Sequence, residues 1–166
     1  MSQSHWSEYY RRWSRLTPPL RPNEEVRDGI RKIVAAHDQR VLLLGVTPEL
    51  TELGGELIGV DHSATMIAHI WPGDTEQRRV VKGEWLALDF PRHHFSAAIG
   101  DGSLNALTCP AGYQSLYRQL LRVVRPGGRL VFRLFTTPDA GEPVAAACHG
   151  DEGPDPDLPC PQMARA

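Results

Sequence analysis

The stretch RVLLLGVTPELTELGGELIGVD, residues 40–61, decides the fold of this chain. It contains two short apolar runs, residues 41–44 and 57–60, in which polar and apolar side chains do not alternate. Strands of this kind are buried on both faces, as in a parallel sheet that helices cover on both sides. The runs end at Gly45 and Asp61. We therefore predict two parallel strands, the first of which lies at the centre of the sheet.

Strands and helices alternate on both sides of this stretch. On the amino side, Asn23 predicts the N-cap of a helix whose buried stripe is Val26, Ile30, Ile33 and Val34. On the carboxyl side the predicted elements are a helix over 63–70, strands over 79–84 and 95–101, a helix over about 112–124, a loop over 125–128 and a fifth strand over 129–135. This alternation predicts an α/β fold with a doubly wound, mostly parallel sheet of about five strands.

We divide the chain into three segments. Residues 1–22 form an aromatic and basic helix followed by a proline-rich connector, residues 23–137 form the α/β domain, and residues 138–166 form a disordered tail rich in proline, glycine and alanine. Two interpretations of the first segment stay open. Its aromatic side chains either pack on the core or form a lid over a bound ligand.

Composition excludes several classes of function. The 166 residues carry a formal net charge of -2, which gives no electrostatic reason for a nucleic-acid or membrane partner. No apolar run is long enough to span a membrane and the amino terminus lacks a signal sequence, so we expect a cytoplasmic protein. Cys148, His149 and Cys160 lack the paired spacing of metal ligands, and we predict no metal site.

Four predicted strands end in small or acidic residues, which are Gly45, Asp61, Glu84 and Asp101. In open α/β sheets, ligands bind beyond the carboxyl ends of the strands. Glycine admits close backbone approach, and a carboxylate accepts hydrogen bonds from a pair of ribose hydroxyls. This edge therefore predicts a nucleoside pocket. As an alternative, Asp61 caps the helix that begins near Ser63.

Residues 41–135 resemble the class I S-adenosylmethionine (SAM)-dependent methyltransferase family. The resemblance rests on the ordered segments LLLGVTPEL, GVDHSATMI, KGEWLALDFPRHHFSAAIGDGSLNAL and LLRVVRPGGRLVF. It implies SAM as the cofactor and methyl transfer as the reaction, and the net charge of -2 favours a small-molecule acceptor. The order of these segments along the chain is a stronger signal than any one motif.

The resemblance also implies positions for the parts of the cofactor. Gly45 and Thr47 would line its methionine part, and Asp61 would bind the ribose. The other residues in this set would flank the adenine or face both ligands, and they are His62, Met66, Glu84, Trp85, Asp101 and Gly102. The catalytic residues stay unknown, and Asp101 and His62 are equal candidates for a general base if the acceptor needs one.

The turn after the first strand departs from the family pattern. The family commonly has an acidic residue two positions before the first glycine and further glycines after it, whereas this chain has Leu43, Thr47 and Glu49. Thr47 would crowd the carboxylate of SAM unless its hydroxyl donates to that group, and Glu49 would repel it. We therefore expect weaker cofactor binding than the fold alone would give.

Two other functions stay open. The chain shows no candidate for the last two strands of the family, so it is alternatively a non-catalytic or remnant SAM- or nucleotide-binding protein. Its apolar fifth strand would then be an exposed edge, which predicts self-association or a partner protein and low turnover by this chain alone. A nicotinamide dehydrogenase is disfavoured because the G-x-G-x-x-G fingerprint does not follow the first strand.

Overall fold

The computed structural model describes residues 10–35 and 40–136, and these form one α/β layer structure. Five parallel strands stand in the order β3-β2-β1-β4-β5. The strands are β1 (Arg40–Leu44), β2 (Glu56–Asp61), β3 (Arg78–Lys82), β4 (Phe95–Asp101) and β5 (Val124–Arg133). The helices are α1 (Glu24–Ala35), α2 (Ala64–Ile70) and α3 (Ala111–Val123). The predicted fold class is confirmed.

Strand β1 lies at the centre of the sheet, as the sequence predicts. It pairs with β2 on one side, where Leu42 lies opposite Ile58, and with β4 on the other, where Leu42 lies opposite Ala98. Residues 41–44 are at most 1% exposed. Because neighbouring side chains of a strand point to opposite faces, a strand covered on both sides needs apolar residues at every position.

Two hydrophobic clusters cover the two faces of the sheet. Val41 and Leu43 face the cluster that contains Ile30 and Val34 of α1. On the opposite face, Leu42 and Leu44 belong to the cluster that contains residues of α3, namely Leu116, Leu120 and Val123. Helices therefore lie on both sides of the sheet.

The predicted first helix is confirmed except for one residue of its buried stripe. The side chain of Asn23 accepts a hydrogen bond from the backbone of Val26 at 3.0 Å, which is the predicted N-cap. Ile30 and Val34 are buried, whereas Ile33 is 45% exposed. The prediction for Ile33 was wrong, because this side chain lies on the part of the helix surface that faces solvent.

The fifth strand begins earlier than predicted. Val124 already pairs with Phe95, and the predicted loop over 125–128 is an irregularity within β5, after which Arg129 pairs with Ala97. At Gly128 a Cβ atom would lie 2.7 Å from the backbone oxygen of Ser96, so this close approach requires glycine. The strand ends at Arg133 rather than at Phe135. Strand β3 is likewise shifted, and it ends before Glu84.

The described part of the amino-terminal segment packs on the domain. Residues 10–13 are helical, and Tyr10 and Trp13 contact the cluster formed by Val46, Met66 and Ile70. The interpretation that aromatic residues of this segment pack on the core is confirmed for these two. Trp6 and Tyr9, like the predicted tail over 138–166, lie outside the described residues.

Candidate functional site

A cavity of about 130 Å³ lies at the carboxyl ends of β1, β2 and β4. This is where strand order reverses between β1 and β4, the position at which open α/β sheets bind ligands. Seven of the nine residues predicted for the site line the cavity, and they are Gly45, Thr47, Asp61, Met66, Trp85, Asp101 and Gly102. The structure therefore brings these seven residues together around one cavity, and its walls also include residues that the sequence did not predict.

In the turn after β1 the cavity is lined by a glycine, so its backbone is not covered by a side chain. Gly45 has a φ of 108°, in the left-handed region that side chains disfavour, and its amide donates to the carbonyl of Val60 at 2.8 Å. A Cβ atom at Gly45 would have Trp85 as its nearest neighbour, at 3.9 Å. Backbone strain, rather than lack of space, therefore makes glycine necessary at this position.

We expect Gly45→Ala to lower the free energy of unfolding by about 1–2 kcal/mol, the cost of a left-handed alanine. Thermal denaturation of the ligand-free protein measures this loss. The matched control is Gly29→Ala in α1, where a Cβ atom would meet nothing within 4 Å. Alanine should stabilise that helix position by roughly 0.5–1 kcal/mol. Equal effects of the two substitutions would contradict the backbone argument.

Asp61 closes β2 with a carboxylate that is largely removed from water. The residue is 8% exposed, and its Oδ1 accepts a hydrogen bond from the amide of Ser63 at 2.8 Å. Burial raises the pKa of this carboxyl, and the negative charge of Glu84 acts in the same direction. The Ser63 hydrogen bond and the nearby His62 ring partly oppose that rise in pKa.

The alternative that Asp61 caps the following helix is not what the structure shows, because a nearby residue is the N-cap. The hydroxyl of Ser63 is the N-cap of α2, because it accepts from the amide of Met66 at 3.2 Å. Asp61 supports this turn through the Ser63 amide while it also lines the cavity. A carboxylate has two oxygens, and a single backbone bond leaves capacity for a ligand hydroxyl.

Trp85 serves both the core and the cavity. Its Nε1 donates to the carbonyl of Val60 at 2.6 Å, and its ring packs against the cluster under α3 while also lining the cavity. His62 and Glu84 do not belong to the cavity lining. Glu84 is exposed, and His62 lies with its Nδ1 3.8 Å from Asp61 Oδ1. These two residues therefore influence the site only through their electrostatic effect on the pKa of Asp61, which His62 lowers and Glu84 raises.

The loop after β4 is fixed by Arg133 from β5. Arg133 Nε donates to the carboxylate of Asp101, whose side chain is 4% exposed, and the Gly102 amide donates to the Arg133 carbonyl at 3.0 Å. Asp101 lines the cavity as predicted, but its carboxylate is held by a guanidinium. Beside it, the buried Ser103 hydroxyl has no hydrogen-bond partner among the described residues.

The amino-terminal segment supplies a wall of the cavity, which the lid interpretation allowed without assigning individual residues. Trp13 and Leu20 line the cavity, as does Phe135 just after β5. Arg21 forms an ion pair with Glu49, and Pro19 accepts a hydrogen bond from Arg133 Nη1 at 2.5 Å. No local pattern marks these contacts, because each joins residues 28 or 114 positions apart.

A family model described as a methyltransferase domain matches residues 45–132. This chain belongs to that methyltransferase family. The matched residues run from the turn after β1 to the last but one residue of β5, so they include Gly45 and the ends of β2 and β4 that build the cavity.

The chain is also similar to individual proteins, either in sequence or in fold. Over 93 residues the chain is 37% identical to a demethylmenaquinone methyltransferase of Corynebacterium kroppenstedtii, a match covering 55% of this chain and 38% of the relative. A putative SAM-dependent methyltransferase of Methanococcus maripaludis superposes with a TM-score of 0.60 and 14% identity, covering 78% of this chain and 63% of the other. A SAM-bound amino pentose methyltransferase of Micromonospora echinaspora superposes with a TM-score of 0.55 and 23% identity, covering 69% and 50%.

The chain thus spans less than two fifths of the curated relative's length and about half to two thirds of the two solved chains. Among residues 10–35 and 40–136, no helix is both long and apolar enough to cross a membrane. The same residues contain no cluster of three histidine, cysteine or acidic side chains suited to a metal. Cys148, His149 and Cys160 lie outside them.

Proposed function

We propose that this chain binds SAM at the carboxyl edge of its sheet and forms the cofactor-binding part of a methyltransferase that acts on a small-molecule acceptor. The observation that carries the proposal is the buried Asp61 carboxylate beside the bare backbone of Gly45, both on the wall of one cavity. Membership of the methyltransferase family supports it. So does the SAM-bound state of one solved structure with this fold.

The chemistry of the cavity fits the parts of SAM. The buried Asp61 carboxylate suits a pair of ribose hydroxyls, because their hydrogen bonds replace the water that burial removes. Met66 and Trp85 offer apolar surface for a flat base. The Ser103 hydroxyl, buried and without a partner among the described residues, offers one more polar contact.

The size of the cavity adds a requirement. Its volume of about 130 Å³ is below the roughly 300–1,000 Å³ of pockets that enclose small ligands. Trp13, Leu20 and Phe135 project into this space from the connector and from the end of β5. We therefore propose that the connector moves outward when the ligand enters. Trp13 would then both pack on the core and cover the bound ligand, as the two interpretations of the amino-terminal segment describe.

When bound, SAM supplies a methyl group activated by its sulfonium, so no nucleophilic side chain of the protein is required. The residues of this chain bind, orient and exclude water, the contributions that dominate a reaction of this type. Asp61 holds the ribose end, and Trp13 and Leu20 shield the cavity from solvent. No general base is assigned, because the Asp101 carboxylate is engaged by Arg133 and His62 lies outside the cavity lining.

Isothermal titration calorimetry with SAM, its demethylated product and NAD tests the proposal. We expect both sulfur-containing ligands to bind with one-to-one stoichiometry and NAD not to bind. Binding of NAD alone would indicate a dehydrogenase-type site. If none of the three ligands bound, the assignment of the cavity as a SAM site would be refuted.

Family membership favours an enzyme over the alternative of a non-catalytic nucleotide-binding protein. Low turnover by the 166-residue chain alone stays a prediction, as do its cytoplasmic location and its acceptor. The acceptor is proposed to be small because the net charge of -2 offers no field that would attract a nucleic acid.

A further inference from the structure

A second cavity, of about 230 Å³, lies at the amino ends of β1, β2 and β4. The proposed SAM cavity lies at the carboxyl ends of the same strands, and the two cavities share no lining residue. Most of the residues that line the second cavity are charged or titratable, namely Arg40, Glu56, His93, His94 and Arg125. Its chemistry is therefore separate from that of cofactor binding.

The lining of this second cavity carries an excess of positive charge. Arg40 and Arg125 are permanently charged, and His93 and His94 each add a positive charge on protonation. Among the described residues that line the cavity, Glu56 is the only acidic one. A concave site with this imbalance raises the local concentration of anions.

Arg40 is held in a fixed position at the cavity. Its backbone amide donates to Ser96 Oγ at 3.3 Å, and the Ser96 hydroxyl donates to the Arg40 carbonyl at 3.0 Å. Its Nε donates to Glu56 Oε2 at 2.7 Å, and its Nη1 lies 3.3 Å from Nδ1 of His94. The third guanidinium nitrogen, Nη2, makes no hydrogen bond with the described residues. A guanidinium anchored in this way still has donors for an oxyanion.

The loop that carries the two histidines is fixed from α3. Arg122 Nη1 donates to the carbonyl of Phe90 at 2.5 Å, and the His93 amide donates to the carbonyl of Arg122 at 2.9 Å. The ring of His94 stacks on Phe90 with a centroid distance of 5.7 Å and meets Phe95 edge-on at 4.9 Å. Both histidines are therefore positioned at the cavity before a ligand arrives, which lowers the cost of ordering them.

We propose that this second cavity binds the phosphate group of a small molecule, with the guanidinium groups of Arg40 and Arg125 on its oxygens and a protonated His94 as a further donor. The inference goes beyond the proposed function and does not depend on it. Two arginines and a protonated histidine outweigh the Glu56 carboxylate by two charges, which is the charge of a phosphate dianion. A carboxylate or a phosphodiester carries one charge and matches this excess less well.

Phosphate binding should be coupled to protonation of His94. Burial lowers the pKa of this imidazole, and the charges of Arg40 and Arg79 act in the same direction. The carboxylate of Glu56 opposes them. A bound dianion adds negative charge beside the ring, so it raises the pKa of His94, and affinity rises as pH falls through that pKa. His93 lines the same cavity and strengthens this trend when it is protonated.

NMR titrations of the full chain with inorganic phosphate test the inference, with the ring signal of His94 assigned from its loss in the His94→Phe variant. We expect phosphate to shift this signal and to raise the pH at which it titrates, at constant ionic strength. Sulfate stays doubly charged between about pH 5 and 8, so the pH dependence of its binding reports the protein. Its affinity should increase by about threefold or more as the pH is lowered over this range. Acetate and dimethyl phosphate, with one charge each, should bind at least roughly tenfold more weakly than phosphate.

Single substitutions separate the roles of the lining residues. Arg40→Gln should weaken phosphate binding by about tenfold or more, because it removes the forked donor, and Arg40→Lys should recover part of that loss. His94→Phe retains the aromatic contacts with Phe90 and Phe95 but has no titratable nitrogen, so it should remove most of the pH dependence of sulfate binding. The matched control is Arg31→Gln, which changes an exposed arginine of α1 that also pairs with a carboxylate but lies outside the cavity. It should change neither measurement, and circular dichroism verifies that all variants fold.

Three results would each overturn the inference. A His94 signal that phosphate leaves unchanged would show that the cavity does not bind this group. Equal phosphate affinity in Arg40→Gln, Arg31→Gln and the wild type would place the anion elsewhere. Binding of acetate or dimethyl phosphate as tight as that of phosphate would contradict the assignment to a phosphate dianion.

Discussion

The Asp61→Asn variant is expected to bind SAM more weakly than the wild type by on the order of 1–3 kcal/mol, roughly 5- to 150-fold. Asparagine keeps the size of the side chain and an acceptor for the Ser63 amide, so the turn into α2 should persist. What is lost is the charged acceptor for the ribose hydroxyls. Calorimetry with SAM measures the change, and Asp28→Asn on the exposed surface of α1 is the control.

The stability of the ligand-free Asp61→Asn variant should change in the opposite direction. Burial raises the folded-state pKa of Asp61 above its ordinary value of 3.8, so the folded protein holds this proton more tightly than the unfolded chain. The stabilising contribution is therefore fully present below pH 3.8 and is lost as pH rises through the folded-state pKa. Neutral asparagine avoids this loss.

Thermal unfolding of the ligand-free proteins at several pH values measures the difference. At pH 7 we expect Asp61→Asn to unfold at a higher temperature than the wild type, and we expect the gap to narrow as pH falls toward 3.8. Unchanged SAM affinity would refute the ribose assignment. A variant that is less stable than the wild type at pH 7 would mean that hydrogen bonds to the carboxylate outweigh its burial.

The second large effect is expected at the outer edge of β5. Among the described residues β5 pairs with β4 on one side and with no strand on the other. A groove of about 390 Å³ lies beside it, lined mostly by aliphatic and aromatic side chains of β5 and α3, including Tyr117, Leu130 and Phe132. Tyr117 is 53% and Leu130 is 38% exposed. An unpaired edge next to apolar side chains favours strand addition.

We propose that a second copy of this chain covers the edge and groove. A two-fold pairing of β5 with itself satisfies both edges through one interface, since the same surface serves both partners. We expect size-exclusion chromatography with light scattering to show a dimer whose fraction increases with concentration. The Leu130→Arg variant should weaken dimerisation by about 2 kcal/mol, which raises the dissociation constant roughly thirtyfold, because it introduces a charge into the groove.

Leu121→Arg provides the control for that experiment. Leu121 is 56% exposed on α3 but does not line the groove, so this substitution should leave the dimer intact. A wild-type chain that stays monomeric up to its solubility limit would overturn the dimer. The same mass for wild type and Leu130→Arg would place the interface elsewhere.

Local patterns decided most of the site. Gly45 and Asp61 follow apolar runs, and parallel strands deliver their carboxyl ends to one edge, so their convergence could be predicted without coordinates. Asp101 was predicted as the end of a further strand, whereas the positions of Met66, Trp85 and Gly102 were implied by the resemblance to the methyltransferase family. His62 and Glu84 do not line the cavity. Strand β3 ends at Lys82, two residues before Glu84, and Glu84 is exposed.

The amino-acid sequence by itself indicated five strands, their parallel direction, the central position of β1 and the edge of the sheet at which the cavity forms. It could do so because strands buried on both faces appear as continuous apolar runs and alternate with helices along the chain. Only the tertiary structure decided the charge of the site. From the sequence alone, Glu49 is expected to be an anion beside the ligand and Asp101 a free carboxylate. Folding brings Arg21 to the first and Arg133 to the second, across 28 and 32 positions. Electrostatic energy depends on distance in space, which no local sequence period encodes.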